Sequence, residues 1–184
     1  MEDFIEKAAE HFKALLEEQL RRQERMERGA GNRDFAGADK IVIGVVPGDG
    51  IGPIIMAQAR RALEKLLAGE LAKGRVALRD IGGLTIENRL EKGQAVPDEV
   101  LAEIKACDVL LKGPTTTPKG GSLESANVTL RRELDLYANV RPVTVLEQGI
   151  DWIFFRENTE GEYALGSRGV ELPGKLSMDF KVTT

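Results

Sequence analysis

The run Ile41-Val42-Ile43-Gly44-Val45-Val46 has no polar face, and Pro47-Gly48-Asp49-Gly50-Ile51-Gly52-Pro53 follows it at once. A strand with one side in water alternates polar and apolar residues. A run without alternation needs cover on both sides, as at the centre of a parallel sheet flanked by helices. The glycine and proline turn then hands the chain to residues 54–67, which read as a helix. The same unit recurs downstream. Residues 75–81 alternate enough for a second strand, ended by Gly82-Gly83, and 85–93 reads as a helix. Pro97 opens another helix that runs to Lys105, with Asp98 and Glu99 suiting its positive end. Val109-Leu110-Leu111 is a short buried strand. Strand, helix, strand, helix, strand predicts a doubly wound α/β fold with a largely parallel sheet, whose ligands bind beyond the carboxyl ends of the strands.

The flanks differ from this centre. Residues 2–28 lack glycine and proline and place Phe4, Ala8, Phe12, Leu15, Leu16 and Leu20 three and four apart, the spacing of an amphipathic helix. Its charged face offers ion pairs such as Glu18 with Arg21 or Arg22. The apolar stripe needs cover, from its own domain or from a second subunit. Three glycines make 29–39 a linker. After Leu136 the pattern turns to extended segments at 140–146 and 152–155. Residues 162–184 hold two more, separated by 166–174, and 181–184 is strand-like with no stop signal. The expected organisation is a helical extension and linker over 1–39, the first part of a large α/β domain over 40–136, and the start of a smaller α+β domain over 137–184.

Composition removes several classes of function. With 26 Lys and Arg against 30 Asp and Glu, the net charge of −4 provides no basic field for nucleic acid. No apolar run reaches membrane-spanning length and the acidic N-terminus lacks leader features, so the expectation is a cytoplasmic protein. Cys107 is the single cysteine and His11 the single histidine. An internal disulfide is therefore excluded, Cys107 reads as a small buried residue in an apolar strand context rather than a nucleophile, and a zinc site has too few ligands.

The segment after the third strand is where chemistry concentrates. Gly113-Pro114-Thr115-Thr116-Thr117-Pro118-Lys119-Gly120-Gly121 is a loop rich in hydroxyl groups, and a helix opened by polar residues follows it. A helix start presents free N–H groups and a positive dipole end, which suits anions. Ser125 and Asn127 sit there, Arg131 lies one turn beyond Asn127 on the same face, and Arg141 arrives on the next segment. Guanidinium forks match carboxylates, so the group suits a multiply charged acid. The earlier Gly48-Asp49-Gly50 is not a dinucleotide fingerprint, because Pro53 stands where a third glycine is needed.

Three stretches, in order, resemble the isocitrate/isopropylmalate dehydrogenase family and, within it, the isocitrate branch. They are the turn from Pro47 to Pro53, the segment from Ser125 to Pro142 and the segment Phe155-Arg156-Glu157-Asn158-Thr159-Glu160-Gly161-Glu162-Tyr163. The likeness extends over residues 40–184. Ile54 departs from it, since the family usually carries glutamate after this proline.

The resemblance implies oxidative decarboxylation of isocitrate to 2-oxoglutarate with a nicotinamide cofactor, NAD by preference and NADP as the alternative, and a Mg2+ or Mn2+ ion. Ser125, Asn127, Arg131, Arg141 and Arg156 are the implied substrate ligands. Thr116 and Thr117 are the implied cofactor contacts, although a hydroxyl-rich turn shaped by Pro114 and Pro118 explains them equally. Tyr163 is the implied catalytic acid, whose phenol arrives protonated at neutral pH; taken alone it also reads as an aromatic packed in a β segment. The metal-binding aspartates, the lysine that works with the tyrosine and the adenosine grip are implied to lie beyond residue 184, with no metal ligand in this chain. The implied partners are a carboxyl-terminal companion chain and an oligomer. Two other readings stand beside this one: a non-catalytic isocitrate-binding regulatory subunit, and a dehydrogenase for isopropylmalate or homoisocitrate.

Overall fold

The computed structural model describes residues 2–28, 34–118, 123–166 and 168–184. Residues 29–33 of the expected linker, and Lys119, Gly120 and Gly121 of the glycine loop, lie outside the described residues. The chain divides into two compact units, Asp34–Leu136 and a second one made of Met1–Arg33 with Tyr137–Thr184.

In the first unit β1 (Ile41–Val46) is the centre of a three-stranded parallel sheet of order β2-β1-β3, with β2 (Val76–Asp80) and β3 (Val109–Lys112) on either side. Ile43 stands opposite both Leu78 and Val109. Residues 43–46 are buried, so the unbroken apolar run reports cover on both faces, as expected. Helix α2 (Gly52–Leu66) begins with Pro53 in its first turn, where a missing N–H costs nothing. It does not stop cleanly. Leu67 leaves helical geometry for one residue, where the sequence reading ends the helix, and α3 (Ala68–Ala72) follows, a short helix that the sequence reading leaves unassigned.

Helix α4 (Ile86–Lys92) is capped by the Thr85 hydroxyl, which accepts from Asn88 N at 3.4 Å, and Gly93 closes it in the left-handed region. Helix α5 (Asp98–Lys105) follows Pro97. Val46, Ile81, Leu84, Val100, Ile104, Ala126 and Leu130 form the core and bring α5 and α6 (Ala126–Glu133) against the sheet. Cys107 is half-buried, its thiol donating to Glu103 O.

In the second unit β4 (Ala138–Val145) and β5 (Ile150–Glu157) form an antiparallel ribbon joined by a single 3-10 turn at Leu146–Gln148. Helix α1 (Glu2–Glu27) packs on residues far along the chain. Leu15 is buried with Ala164 and Leu165, and Phe12 stacks on Phe180 with ring centres 5.0 Å apart. His11 Nε2 donates to Arg168 O at 2.8 Å. Its own chain therefore covers part of the apolar stripe, while Leu16 and Leu20 stay about half exposed.

Two local expectations are corrected here. Glu18 pairs with Arg168 at 2.7 Å, because that guanidinium is already oriented by Ala164 and Leu165 carbonyls, and Arg22 turns instead to Thr159. Residues 166–174 are not a plain separator. They contain β6 (Val170–Leu172), which turns at Gly174 and pairs with β7 (Leu176–Met178), and of the last four residues Val182 makes a bridge, to Gly161. No helix among the described residues is long and apolar enough to cross a membrane.

Candidate active site

The chain passes from β1 to β2 on one side and returns to β3 on the other, so the carboxyl ends of β1 and β3 meet at a switch point, where an α/β sheet opens a crevice. The two loops touch backbone to backbone there. A Cβ on Gly48, whose φ is 77°, meets Pro114 O at 2.0 Å, and one on Gly113 meets Pro47 O at 2.0 Å. Asp49 N donates to Pro114 O at 2.7 Å across the same seam.

Two buried charges finish this junction. The Asp49 carboxylate accepts from Ile86 N at 2.7 Å through one oxygen and from Thr116 N at 2.8 Å through the other. Arg89, fully buried, donates to Ala95 O at 2.7 Å, Thr116 O at 2.7 Å and Glu124 O at 3.3 Å. Burial pulls the Arg89 guanidinium below its ordinary range, and the Asp49 charge partly offsets this. Lys112, at the end of β3, donates to Gly113 O and Thr115 Oγ1. Burial lowers it too; Asp49 opposes the shift, while Arg89 and Arg131 add to it.

Against this backing Thr116 and Thr117 stand exposed at the crevice. Ser125 is the N-cap residue of α6 in extended geometry, yet its hydroxyl makes no capping bond, and Asn127 occupies the first turn. The helix start is secured otherwise: Glu124 receives a two-pronged contact from Arg132, at 3.1 and 2.8 Å, and a bond from Thr129 Oγ1 at 2.8 Å. This separates two neighbouring arginines. Arg132 is tied to Glu124, whereas Arg131, half-buried, has no ion pair with a described carboxylate. Ser125 and Asn127 thus stand at the start of α6, and Arg131 lies one turn beyond Asn127, in the last turn of the same short helix.

Arg141, Arg156 and Tyr163 belong to the second unit. Asn139 stands opposite Arg156 in the ribbon, and Arg141 Nε donates to Asn139 Oδ1 at 3.0 Å, so both arginines lie on one face. Arg156 Nη2 donates to the Tyr163 hydroxyl at 3.1 Å. Glu157 folds the connecting turn: one of its oxygens accepts the backbone N–H groups of Asn158, Thr159 and Glu160 at 2.6 to 2.9 Å. Those N–H groups, Thr159 first and Glu160 next, hold its carboxyl below the usual range.

Residue pattern alone did not reveal Asp49, Arg89 or Lys112 as parts of the site. Asp49 sat inside a motif read only as a turn. Arg89 and Lys112 resemble any cation on a helix or at a strand end.

A sequence profile of the isocitrate/isopropylmalate dehydrogenase family matches residues 42–181. The chain belongs to that family. Isocitrate dehydrogenase [NADP] of Caldococcus noboribetus is 38% identical over 154 residues, which take in 73% of this chain and 32% of the relative. The protein of the same description from Archaeoglobus fulgidus is 40% identical over 144 residues, 73% of this chain and 33% of that one. The chain therefore spans about a third of the length of these curated family members. Among solved structures, a β-decarboxylating dehydrogenase from Thermococcus kodakarensis superposes with a TM-score of 0.55 at 34% identity, covering 78% of this chain and 41% of that one. The family fold agrees with the parallel sheet and its helices.

Among the described residues no three His, Cys, Asp or Glu side chains converge as a metal centre. The residues present do not by themselves fit the family's divalent ion, and no step below passes through it.

Proposed function

We propose that this chain is the amino-terminal part of a nicotinamide-dependent isocitrate dehydrogenase, which oxidises and decarboxylates isocitrate to 2-oxoglutarate and is completed by a carboxyl-terminal companion chain. The observation that carries the reading is the pair of adjacent arginines. Arg132 is tied to Glu124, whereas Arg131, one turn beyond Asn127 on the same helix, is left without a described carboxylate, and the Ser125 hydroxyl and Asn127 amide stand at the helix start, which favours negative charge. A substrate carrying several carboxylates supplies the missing anion.

In this reading Ser125 and Asn127 hold the carboxylate that distinguishes isocitrate, Arg131, Arg141 and Arg156 bind its charges, and Thr116 and Thr117 contact the cofactor. A nicotinamide cofactor, which Thr116 and Thr117 would contact, would supply the hydride acceptor. Tyr163 gives its hydroxyl proton to the carbon left by decarboxylation. The hydrogen bond from Arg156 already occupies the oxygen's lone pair and stabilises the phenolate that proton transfer leaves behind.

Relatives named for NADP favour NADP over the NAD preference of the sequence reading. The reading of a partner surface is supported by the exposed apolar side chains on both faces of the β4–β5 ribbon, Trp152 and Phe154 on one and Ile153 and Phe155 on the other. A soluble, cytoplasmic oligomer goes with this reading. The test is native mass spectrometry of the purified assembly, followed by an assay of isocitrate-dependent reduction of NADP and NAD. An assembly with a second chain that turns over isocitrate supports the proposal, and an intact assembly with no turnover overturns it.

A further inference from the structure

We propose that Asp49 and Arg89 are positioning residues that set the distance between Thr116, at the residues assigned to the cofactor, and Glu124, next to those assigned to the substrate; this rests on the reading of the site given above. The geometry is specific to the loop ends. Asp49 holds the N–H of Thr116, and Arg89 holds the C=O of the same residue, so both polar groups of that peptide residue are fixed by charged partners. The same guanidinium reaches Glu124 O, the residue before Ser125. One planar fork therefore ties the threonines assigned to the cofactor to the first residues assigned to the substrate.

The anchor itself is rigid. Arg89 lies on α4, its Nε is held by Ala95 O, and α4 is bound in turn to Asp49 through Ile86 N. Charged donors and acceptors with fixed partners make stronger and more directional bonds than neutral ones. A lysine in place of Arg89 keeps the charge but presents one nitrogen, which does not span Ala95, Thr116 and Glu124 together. Neither side chain points to a role of its own in chemistry, since each is consumed by backbone groups.

The experiment is titration of the full chain with isocitrate, using wild type, Arg89→Lys and Asp49→Asn, with amide hydrogen exchange on the same samples. Amides of β1 report whether the sheet is intact, and the Thr116 amide reports the clamp. The expected result is unchanged protection in β1, faster exchange at Thr116 in Asp49→Asn, and isocitrate affinity about tenfold weaker in Arg89→Lys, the size of one lost charge-assisted contact. Asp49 holds Thr116 and, through Ile86 N, the start of α4, but not Glu124, so Asp49→Asn is expected to weaken isocitrate less than Arg89→Lys does. If the lysine variant unfolds, Asp49→Asn alone carries the test, through faster Thr116 exchange with a measurable loss of affinity. Wild-type binding with unaltered affinity in every folded variant overturns the positioning role alone. A wild-type chain that does not bind isocitrate, with Arg131→Ala indistinguishable from it, overturns the parent reading and this one together.

Discussion

Arg156 meets Tyr163 twice: its Nη2 donates to the phenol oxygen at 3.1 Å, and its guanidinium carbon lies 5.5 Å from the ring centre. A cation so placed orients the hydroxyl and favours the charge that appears when the proton leaves. Tyr163→Phe, which keeps the ring and removes the proton, is expected to lower kcat of the assembled enzyme by about 10²–10⁴-fold, the usual contribution of a positioned acid. Isocitrate affinity should change less than about threefold, because a proton donor acts mainly in the transition state. Steady-state kinetics with a parallel isocitrate titration read both numbers, and equal losses in the two would contradict the assignment.

Arg131 and Arg132 differ in what they already hold, so their alanine variants should part company. Arg131→Ala removes a charge-assisted contact worth about 1.5–3 kcal/mol and is expected to weaken isocitrate by about 10- to 150-fold with little change in Tm. Arg132→Ala breaks the pair with Glu124 and is expected to cost about 1 kcal/mol of stability, seen as a lower Tm. Calorimetric titration and thermal unfolding of both variants check the contrast.

The seam between the two loops makes a prediction for stability alone. Alanine at Gly48 or Gly113 drives a Cβ into a carbonyl oxygen at 2.0 Å, and Gly48 adds the cost of a positive φ. Each is expected to lose about 2 kcal/mol or more. Gly82 meets nothing within 4 Å and has no positive φ, so Gly82→Ala should be neutral or stabilise by up to about 1 kcal/mol. Urea unfolding of the three variants separates them.

Glu157 gives the turn before Tyr163 a dependence on pH. The backbone N–H groups of Thr159, Glu160 and Asn158 lower its folded pKa, so its contribution to stability is complete above the unfolded carboxyl value of about 4.3 and is lost as pH falls through the folded one. Wild type is therefore expected to exceed Glu157→Gln in stability at neutral pH, with the gap closing in acid below about pH 4. Unfolding midpoints from pH 3 to 7 measure it, and a gap that widens in acid would refute the role.

Much of the parallel sheet was legible because its signal is local. Ile41 to Val46 declare a buried strand by composition, and Thr85, Pro97 and Gly93 mark helix ends through their own backbone chemistry. Val109 to Leu111 declare a strand but not its burial, since Val109 is exposed and Leu110 and Leu111 are half-buried. The substrate end of the site was legible as residue types at a helix start. What stayed hidden depends on partners far along the chain. Asp49 finds Thr116 67 residues away, and Arg89 finds Thr116 and Glu124 at 27 and 35. No window of sequence distinguishes Arg89 from a solvated helix cation. The short helix α3 was hidden for another reason: its five residues, with Gly69 among them, are too few to show a helical period.

The burial of Leu15 against Ala164 and Leu165, with Arg22 bonded to Thr159, joins the first helix to residues some 140 positions later. During synthesis the segment 34–136 can close its own sheet as soon as it leaves the ribosome. Helix α1 emerges earlier still, yet waits with an uncovered stripe until the last strands arrive. The second unit is thus begun before the first and finished after it, and the apolar stripe of α1 needs shielding in the interval.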